Sequence, residues 1–171
     1  ELEICIDEYN RDIFSFCKYL TRNPQEADDL YPDTFLTAME CREKIAYNLH
    51  PKSYLLSIAL RIWKNKKRKF AWRKRIAEAQ PFVEERDADI SESPEPTPEE
   101  RITRQEEDAA VRMAVNALPD KLRIPVLLFY MEDLSTAQIA AAMKIPVGTV
   151  LSRLHQARKK LKKELEEIIH E

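Results

Sequence analysis

The sequence predicts an all-α protein of two small helical domains joined by an acidic, proline-rich linker, with a helix-turn-helix in the C-terminal domain. Three observations lead there. One glycine stands against ten prolines in 171 residues that are 34% charged, and the stretches between breaks are rich in Glu, Lys, Leu and Ala. That composition favours helices joined by short, stiff connections. At both ends of the chain apolar residues recur at spacings of three and four, the period of an amphipathic helix. Between the two ends this period fails, and no internal repeat or strand-like alternation takes its place.

In the first domain, residues 1–75, Ile6, Tyr9, Ile13, Phe16, Cys17 and Leu20 mark one face of a helix. The string TRNPQEADDL is a break followed by a helix start: Asn23 can cap, Pro24 falls in the first turn, and acids follow. Phe35, Leu36 and Met39 continue an apolar face. NLHP interrupts again, and a helix from about Pro51 turns Leu55, Ile58, Ala59 and Ile62 inward. Residues 76–104 read as the linker, because DADISESPEPTPEE is too acidic and proline-rich to bury the apolar surface that folding alone requires.

The second domain, residues 105–171, opens on a stripe of Ala110, Val111, Ala114, Val115 and Leu118 that ends at Pro119. A strongly apolar stretch runs from Ile124 to Met131. Ser135 or Thr136 can cap a helix from Ala137 to Met143 whose Ile139, Ala140 and Met143 face inward, and the small Ala140, Ala141 and Ala142 let a second helix cross closely. Lys144, Ile145 and Pro146 fit the short turn of a helix-turn-helix. In the helix that follows, Val147, Val150, Leu151, Leu154 and Leu161 supply the packing face, leaving Gly148, Thr149, Ser152, Arg153, Gln156 and Lys160 on the other side. Arg and Gln so placed can read base edges in the major groove. The lone glycine, Gly148, either simply starts this helix or admits a phosphate to the N–H groups of its first turn, where a side chain would hold DNA away.

The net charge of −2 conceals a segregation of sign. Tyr54 to Ala77 carries many Lys and Arg and no acid, Glu78 to Asp108 is dominated by acids, and Arg153 to Lys163 is basic again. Two basic patches suggest two polyanion-binding modules, although solvated charge on a helical surface gives the same pattern. Tyr47, Tyr54, Trp63, Phe70 and Trp72 interleave with the first patch; Trp63 and Trp72 read as the more exposed, as stacking platforms for bases. Cys5, Cys17 and Cys41 form no CxxC pair and read as buried free thiols. No apolar run approaches the ~18 residues that span a membrane, and no signal peptide is visible, so a cytoplasmic protein without membrane insertion is expected.

Residues ALPDKLRIPVLLFYMEDLSTAQIAAAMKIPVGTVLSRLHQARKKL closely resemble region 4 of bacterial sigma factors of the extracytoplasmic-function type, and EADDLYPDTFLTAM resembles the region 2 helix of the same family. The resemblance implies an alternative sigma factor, a non-enzymatic subunit giving RNA polymerase its promoter specificity. It implies core polymerase (the β′ coiled coil and the β flap), promoter DNA and an anti-sigma factor as partners, with no cofactor, metal or small-molecule substrate. An anti-sigma factor would give such a protein a hold at the membrane. By the same resemblance Asp28, Asp29, Leu30, Asp33, Thr34, Phe35 and Leu36 bind core polymerase. Asn48, His50, Lys52, Ser57, Arg61, Lys64, Asn65 and Arg68 contact the −10 element, and the loop YNLHPKS captures a flipped base. Gly148, Thr149, Ser152, Arg153, Gln156, Arg158 and Lys160 contact the −35 element.

The chemistry suits these roles. Melting costs a few kcal/mol per unstacked base, and cations with stacking aromatics, each worth roughly 1–3 kcal/mol, can offset it. Two elements about two DNA turns apart need roughly 70 Å, within reach of a stretched linker of roughly 28 residues.

The chain departs from the family at Pro32, where Gln is usual, which should kink the core-binding helix or delay its start. Asp133 and Lys144 stand at turn positions that are often glycine, and Leu151 at one that is often basic. Two rival readings remain. DDLYPD is similar to the magnesium-holding carboxylates of helical prenyl-converting enzymes, but neither a second metal motif nor a large apolar pocket is visible. A stand-alone helix-turn-helix regulator explains the C-terminal half and leaves the basic and acidic helices of the N-terminal half unexplained.

Overall fold

A computed structural model of the chain describes residues 2–41, 50–78 and 102–169. Most of the expected linker lies outside these, as do Tyr47 and Asn48. Every regular element among the described residues is helical. The first domain holds α1 (Leu2–Thr21), α2 (Pro24–Glu40) and α3 (Pro51–Glu78). The second holds α4 (Ile102–Ala117), α5 (Asp120–Val126), a π-helical segment (Leu127–Met131), α6 (Thr136–Met143) and α7 (Val147–Ile169).

In the first domain α1, α2 and α3 pack on one another around Ile13, Phe16, Cys17, Leu20, Ala27, Leu30, Leu55, Leu56, Ala59 and Leu60, all essentially inaccessible. Asn23 caps α2 as expected, its Oδ1 accepting from the backbone N–H of Gln25 at 2.9 Å and of Glu26 at 3.3 Å. The delayed start that Pro32 could impose on this helix does not occur. Helix α2 starts at Pro24 and runs through Pro32, whose ring is exposed, so it displaces no packed neighbour. Two residues on, the Thr34 hydroxyl donates to the Leu30 carbonyl at 2.7 Å.

The expected apolar face of α2 also needs correcting: Phe35 is buried, but Leu36 and Met39 are 58% and 54% exposed. Of the three cysteines only Cys17 is buried, and burial pushes its thiol up to about 12, which leaves it unreactive. Cys5 and Cys41 are half-buried rather than buried.

In the second domain Leu122, Ile124, Val126, Leu127 and Leu128 form the core against Leu134, Ile139, Met143, Val150, Leu154 and Ala157. Pro125 lies inside α5, and the chain widens from α to π geometry directly after it; the Glu132 N–H closes the wider turn on the Leu127 carbonyl at 3.2 Å. Ser135, not Thr136, caps α6, in a reciprocal capping box with Gln138 (Gln138 N–H to Ser135 Oγ 3.1 Å, Ser135 N–H to Gln138 Oε1 2.9 Å). Val111, Val147 and Leu151, expected to pack, are exposed instead. Leu151 and Val147 lie one turn apart on α7.

The turn of the helix-turn-helix forms where expected, at the price of a left-handed Lys144 (φ 55°, ψ 47°). A non-glycine residue there is strained by about 1–2 kcal/mol. Lys144→Gly is therefore expected to raise stability by about 0.5–1 kcal/mol after the entropy of the freer unfolded chain is subtracted. Thermal melting checks this, and a lower Tm for the variant would show that the Lys144 side chain stabilises the turn in some other way.

Candidate nucleic-acid interface

The two domains are packed together. Helix α3 lies against α6, and α1 against the π-helical segment. This contact decides where several expected site residues point.

On α3, Arg61, Lys64, Asn65 and Arg68 are exposed and follow one another at helical spacing, making a polar face opposite the buried Leu55, Leu56, Ala59 and Leu60. Arg68 donates to Asn65 Oδ1 at 3.4 Å across one turn. Ser57 is half-buried, and its hydroxyl donates to the Tyr54 carbonyl at 2.7 Å. His50, just before α3, is exposed. Lys52 stands apart from this set. Its ammonium reaches Asp12 at 2.9 Å and Glu132 of the second domain at 3.0 Å, so a DNA strand would have to compete for it. Asn48 lies outside the described residues.

The aromatics divide differently from expectation. Trp63 is 5% exposed, buried at the junction of the domains with the Lys67 ammonium 4.7 Å from its ring centre. Tyr54 is half-buried against the core. Trp72 and Phe70 are 63% and 71% exposed on the basic C-terminal half of α3, where they remain available as stacking platforms.

On α7, Gly148, Ser152, Gln156 and Lys160 are exposed, and Thr149 and Arg153 half-buried, along one side of the helix. A Cβ built on Gly148 meets nothing within 4 Å, and its φ is not positive. The fold does not require glycine there. Gln156 leans on Ser152 at 3.4 Å. Arg158 does not share this side. It donates to the Tyr130 hydroxyl at 2.6 Å, with its guanidinium 5.7 Å from the ring centres of Phe129 and Tyr130, so packing against the π-helical segment holds it on the opposite flank.

Of the seven residues expected to bind polymerase, Leu30, Thr34 and Phe35 are buried within the first domain and shape α2 rather than face a partner. Asp28, Asp29 and Leu36 are exposed, and Asp33 is half-buried with its carboxylate 2.8 Å from the Lys66 ammonium. The open face of α2 is thus acidic with an apolar centre at Leu36 and Met39. The carboxylates of DDLYPD gather no metal-ligating cluster: among the described residues no three acid, His or Cys side chains converge.

Asp120 and Arg123 went unnoticed in the sequence. Arg123 is wholly buried, and its guanidinium donates to the Tyr19 carbonyl at 2.6 Å, the Leu20 carbonyl at 2.9 Å and Asp120 Oδ1 at 2.8 Å. Burial works to raise the Asp120 carboxyl, but Arg123 and Lys67 outweigh it and hold the acid below the usual range. Burial pushes the Glu132 carboxyl up, and Lys52 offsets this only in part. For Lys52 burial acts downward, yet Asp12 and Glu132 together hold it above the ordinary lysine range. The only hint in the sequence was an arginine inside the apolar run LPDKLRIPVLL, three residues after an aspartate.

Comparison with known proteins bears on what these faces serve. Residues 5–74 match the Sigma-70 region 2 family and residues 108–161 match Sigma-70, region 4. The ECF RNA polymerase sigma factor SigW of Bacillus subtilis (strain 168) is 27% identical, over 95% of this chain and 88% of its own length. The RNA polymerase sigma-E factor of Streptomyces antibioticus is 32% identical, over 86% of this chain and 74% of its own. Among solved structures, the sigma factor RpoE in complex with the anti-sigma factor NepR from Bartonella quintana superimposes with a TM-score of 0.74 at 20% identity, covering 96% of both chains.

Proposed function

Because the chain belongs to the extracytoplasmic-function group of the sigma-70 family, we propose that its two domains divide the work of initiation. Residues 1–75 bind core polymerase and open the −10 element, residues 105–171 read the −35 element, and residues 76–104 bridge them. The protein is an alternative sigma factor directing promoter-specific transcription, and it works without catalysis of its own. The observation that carries the division of labour is the pairing, in one chain, of a basic α3 with exposed aromatics and an α7 opened by a sterically unneeded glycine.

Polymerase docks on the open face of α2 through Asp28, Asp29, Asp33 and Leu36. On DNA, Arg61, Lys64, Asn65 and Arg68 track the −10 strand, with His50 and Asn48 leading into it. Gly148, Thr149, Ser152, Arg153, Gln156 and Lys160 take the −35 duplex. Leu30, Thr34 and Phe35 support the docking helix from inside, and Arg158 sits at the margin. An anti-sigma factor holds the protein in check until a signal arrives; NepR, bound to RpoE in the structure above, is the precedent. The sigma factor itself is cytoplasmic. Any hold at the membrane is the work of the anti-sigma factor; among the described residues no helix is long and apolar enough to cross a membrane.

Run-off transcription with purified core polymerase and a randomised promoter library tests the proposal. New start sites that depend on the chain and share two spaced motifs are expected. Specific DNA binding without core, and no new starts with it, would identify a stand-alone regulator instead.

A further inference from the structure

We propose that the cleft where α3 meets the second domain is a binding site for a small polyphosphate anion with an apolar portion, a nucleoside di- or triphosphate by class. The binding rests on the cleft alone, and only its consequence for promoters rests on the sigma-factor reading.

The cleft has a volume of about 270 Å³. Lys64 and Lys67 come to it from α3, Lys121 from α5 and Arg153 from α7. Asp120 is the one acid among the described residues that line it. That carboxylate is already shared: it lies 2.8 Å from Arg123, 3.0 Å from Lys67 and 3.7 Å from Arg22. Among the described residues no carboxylate pairs with Lys64, Lys121 or Arg153. Burial and the charge of Arg153 draw the Lys64 ammonium below its ordinary range, and Asp120 restores only part of it. Cations gathered without a counter-charge repel one another, and an anion seated among them turns that repulsion into attraction. A cleft lined by one sign of charge over apolar walls also concentrates such an anion from solution.

The charge and the lining select the class of ligand. One phosphate ester brings at most about two negative charges, fewer than the three unpaired cations, whereas a diphosphate matches them. Lysines meet phosphate as point charges, and an arginine holds two of its oxygens at once. The buried Ile124, Met143 and Trp63 complete the lining. An inorganic ion leaves that surface to water, while a sugar or base covers it as the phosphates meet the cations. The volume lies just below the ~300 Å³ at which drug-sized sites begin, so the cleft takes the phosphates and sugar and leaves the rest of the ligand at its mouth. It excludes duplex DNA and a partner helix, which with its side chains is about 10–12 Å across.

Lys64 and Arg153 are also the side chains assigned above to the −10 and −35 elements. Nucleotide and promoter therefore draw on the same two cations and exclude one another there. Nucleotide supply becomes an input to the sigma factor alongside its anti-sigma factor.

Titration calorimetry of the full chain at about 0.15 M salt tests the site, with ADP, GDP, inorganic pyrophosphate and adenosine as titrants. ADP or GDP should bind one-to-one with a Kd on the order of 10 μM, an affinity ordinary for a ligand of that size. Pyrophosphate should bind at least about tenfold more weakly for want of the apolar contact, and adenosine without measurable heat. Lys121→Glu and, separately, Lys64→Gln should each weaken nucleotide binding about tenfold or more, as the loss of one charged contact does. Both side chains are exposed, so the fold should survive either change. Lys162→Glu makes the same change of charge at an exposed position of α7 outside the cleft, and should leave the affinity as it was. No heat from either nucleotide, or an equal loss in Lys121→Glu and Lys162→Glu, would overturn the site. Pyrophosphate binding as tightly as the nucleotides would overturn the nucleotide class. Neither polymerase nor DNA takes part, so a failed titration leaves the sigma-factor reading intact, and a failed run-off assay leaves the binding result standing.

Discussion

Arg153→Ala is expected to lower initiation roughly 10- to 100-fold at promoters that depend on the −35 element, with little change in the stability of the second domain. The magnitude is that of one base-reading arginine, worth about 1–3 kcal/mol of discrimination. The position supports the role. Arg153 lies on the same side of α7 as Gly148, Ser152 and Gln156, and the core of the domain is built from Val150, Leu154 and Ala157 without it. Single-round transcription from templates with an intact and with a scrambled −35 element separates the outcomes. A loss on the intact template alone identifies a reader of sequence. An equal loss on both marks a contact to phosphate, and no loss removes Arg153 from the interface.

The second large effect is on core polymerase. Asp29→Ala combined with Asp33→Ala should weaken core binding by roughly 100-fold, because hydrogen bonds to charged groups at an interface are among the costlier ones to lose. The fold should tolerate the change. Asp29 is exposed, and Asp33 pairs with the exposed Lys66, a surface contact that contributes little to stability. Fluorescence titration of labelled chain with core measures it directly. Unchanged affinity would move the docking site off this face of α2, and Leu36 with Met39 would be the next residues to replace.

Much of the fold was legible because it is local. The spacing of Ile13, Phe16, Cys17 and Leu20 gave the buried face of α1, Asn23 and Ser135 announced two helix starts, and Lys144, Ile145 and Pro146 gave the turn. What periodicity could not supply was the partner each face meets. Leu36, Met39, Val147 and Leu151 are apolar at helical spacing yet stay exposed, because a face has nothing to pack on unless another element covers it. Trp63 fails in the opposite direction: it sits in a basic stretch and reads as exposed, but the other domain closes over it.

The site shows the same division. The reading side of α7 follows from the phase of one helix. The engagement of Lys52 by Glu132, and of the end of α1 by Arg123, links residues eighty to a hundred positions apart, and no local pattern encodes such a pairing. Arg158 was assigned by its place in the string rather than its phase. Its angular position on α7 and the neighbouring Tyr130 turn it away.

Gly148 brings stability and function into conflict at a single position. It lies in the first turn of α7 with open space where a side chain would go and a backbone that any residue can adopt. Alanine would make a better helix there by up to about 1 kcal/mol. A collection of chains varied at position 148 and sorted for resistance to heat should therefore drift away from glycine. Sorted instead for transcription, the same collection should return to it.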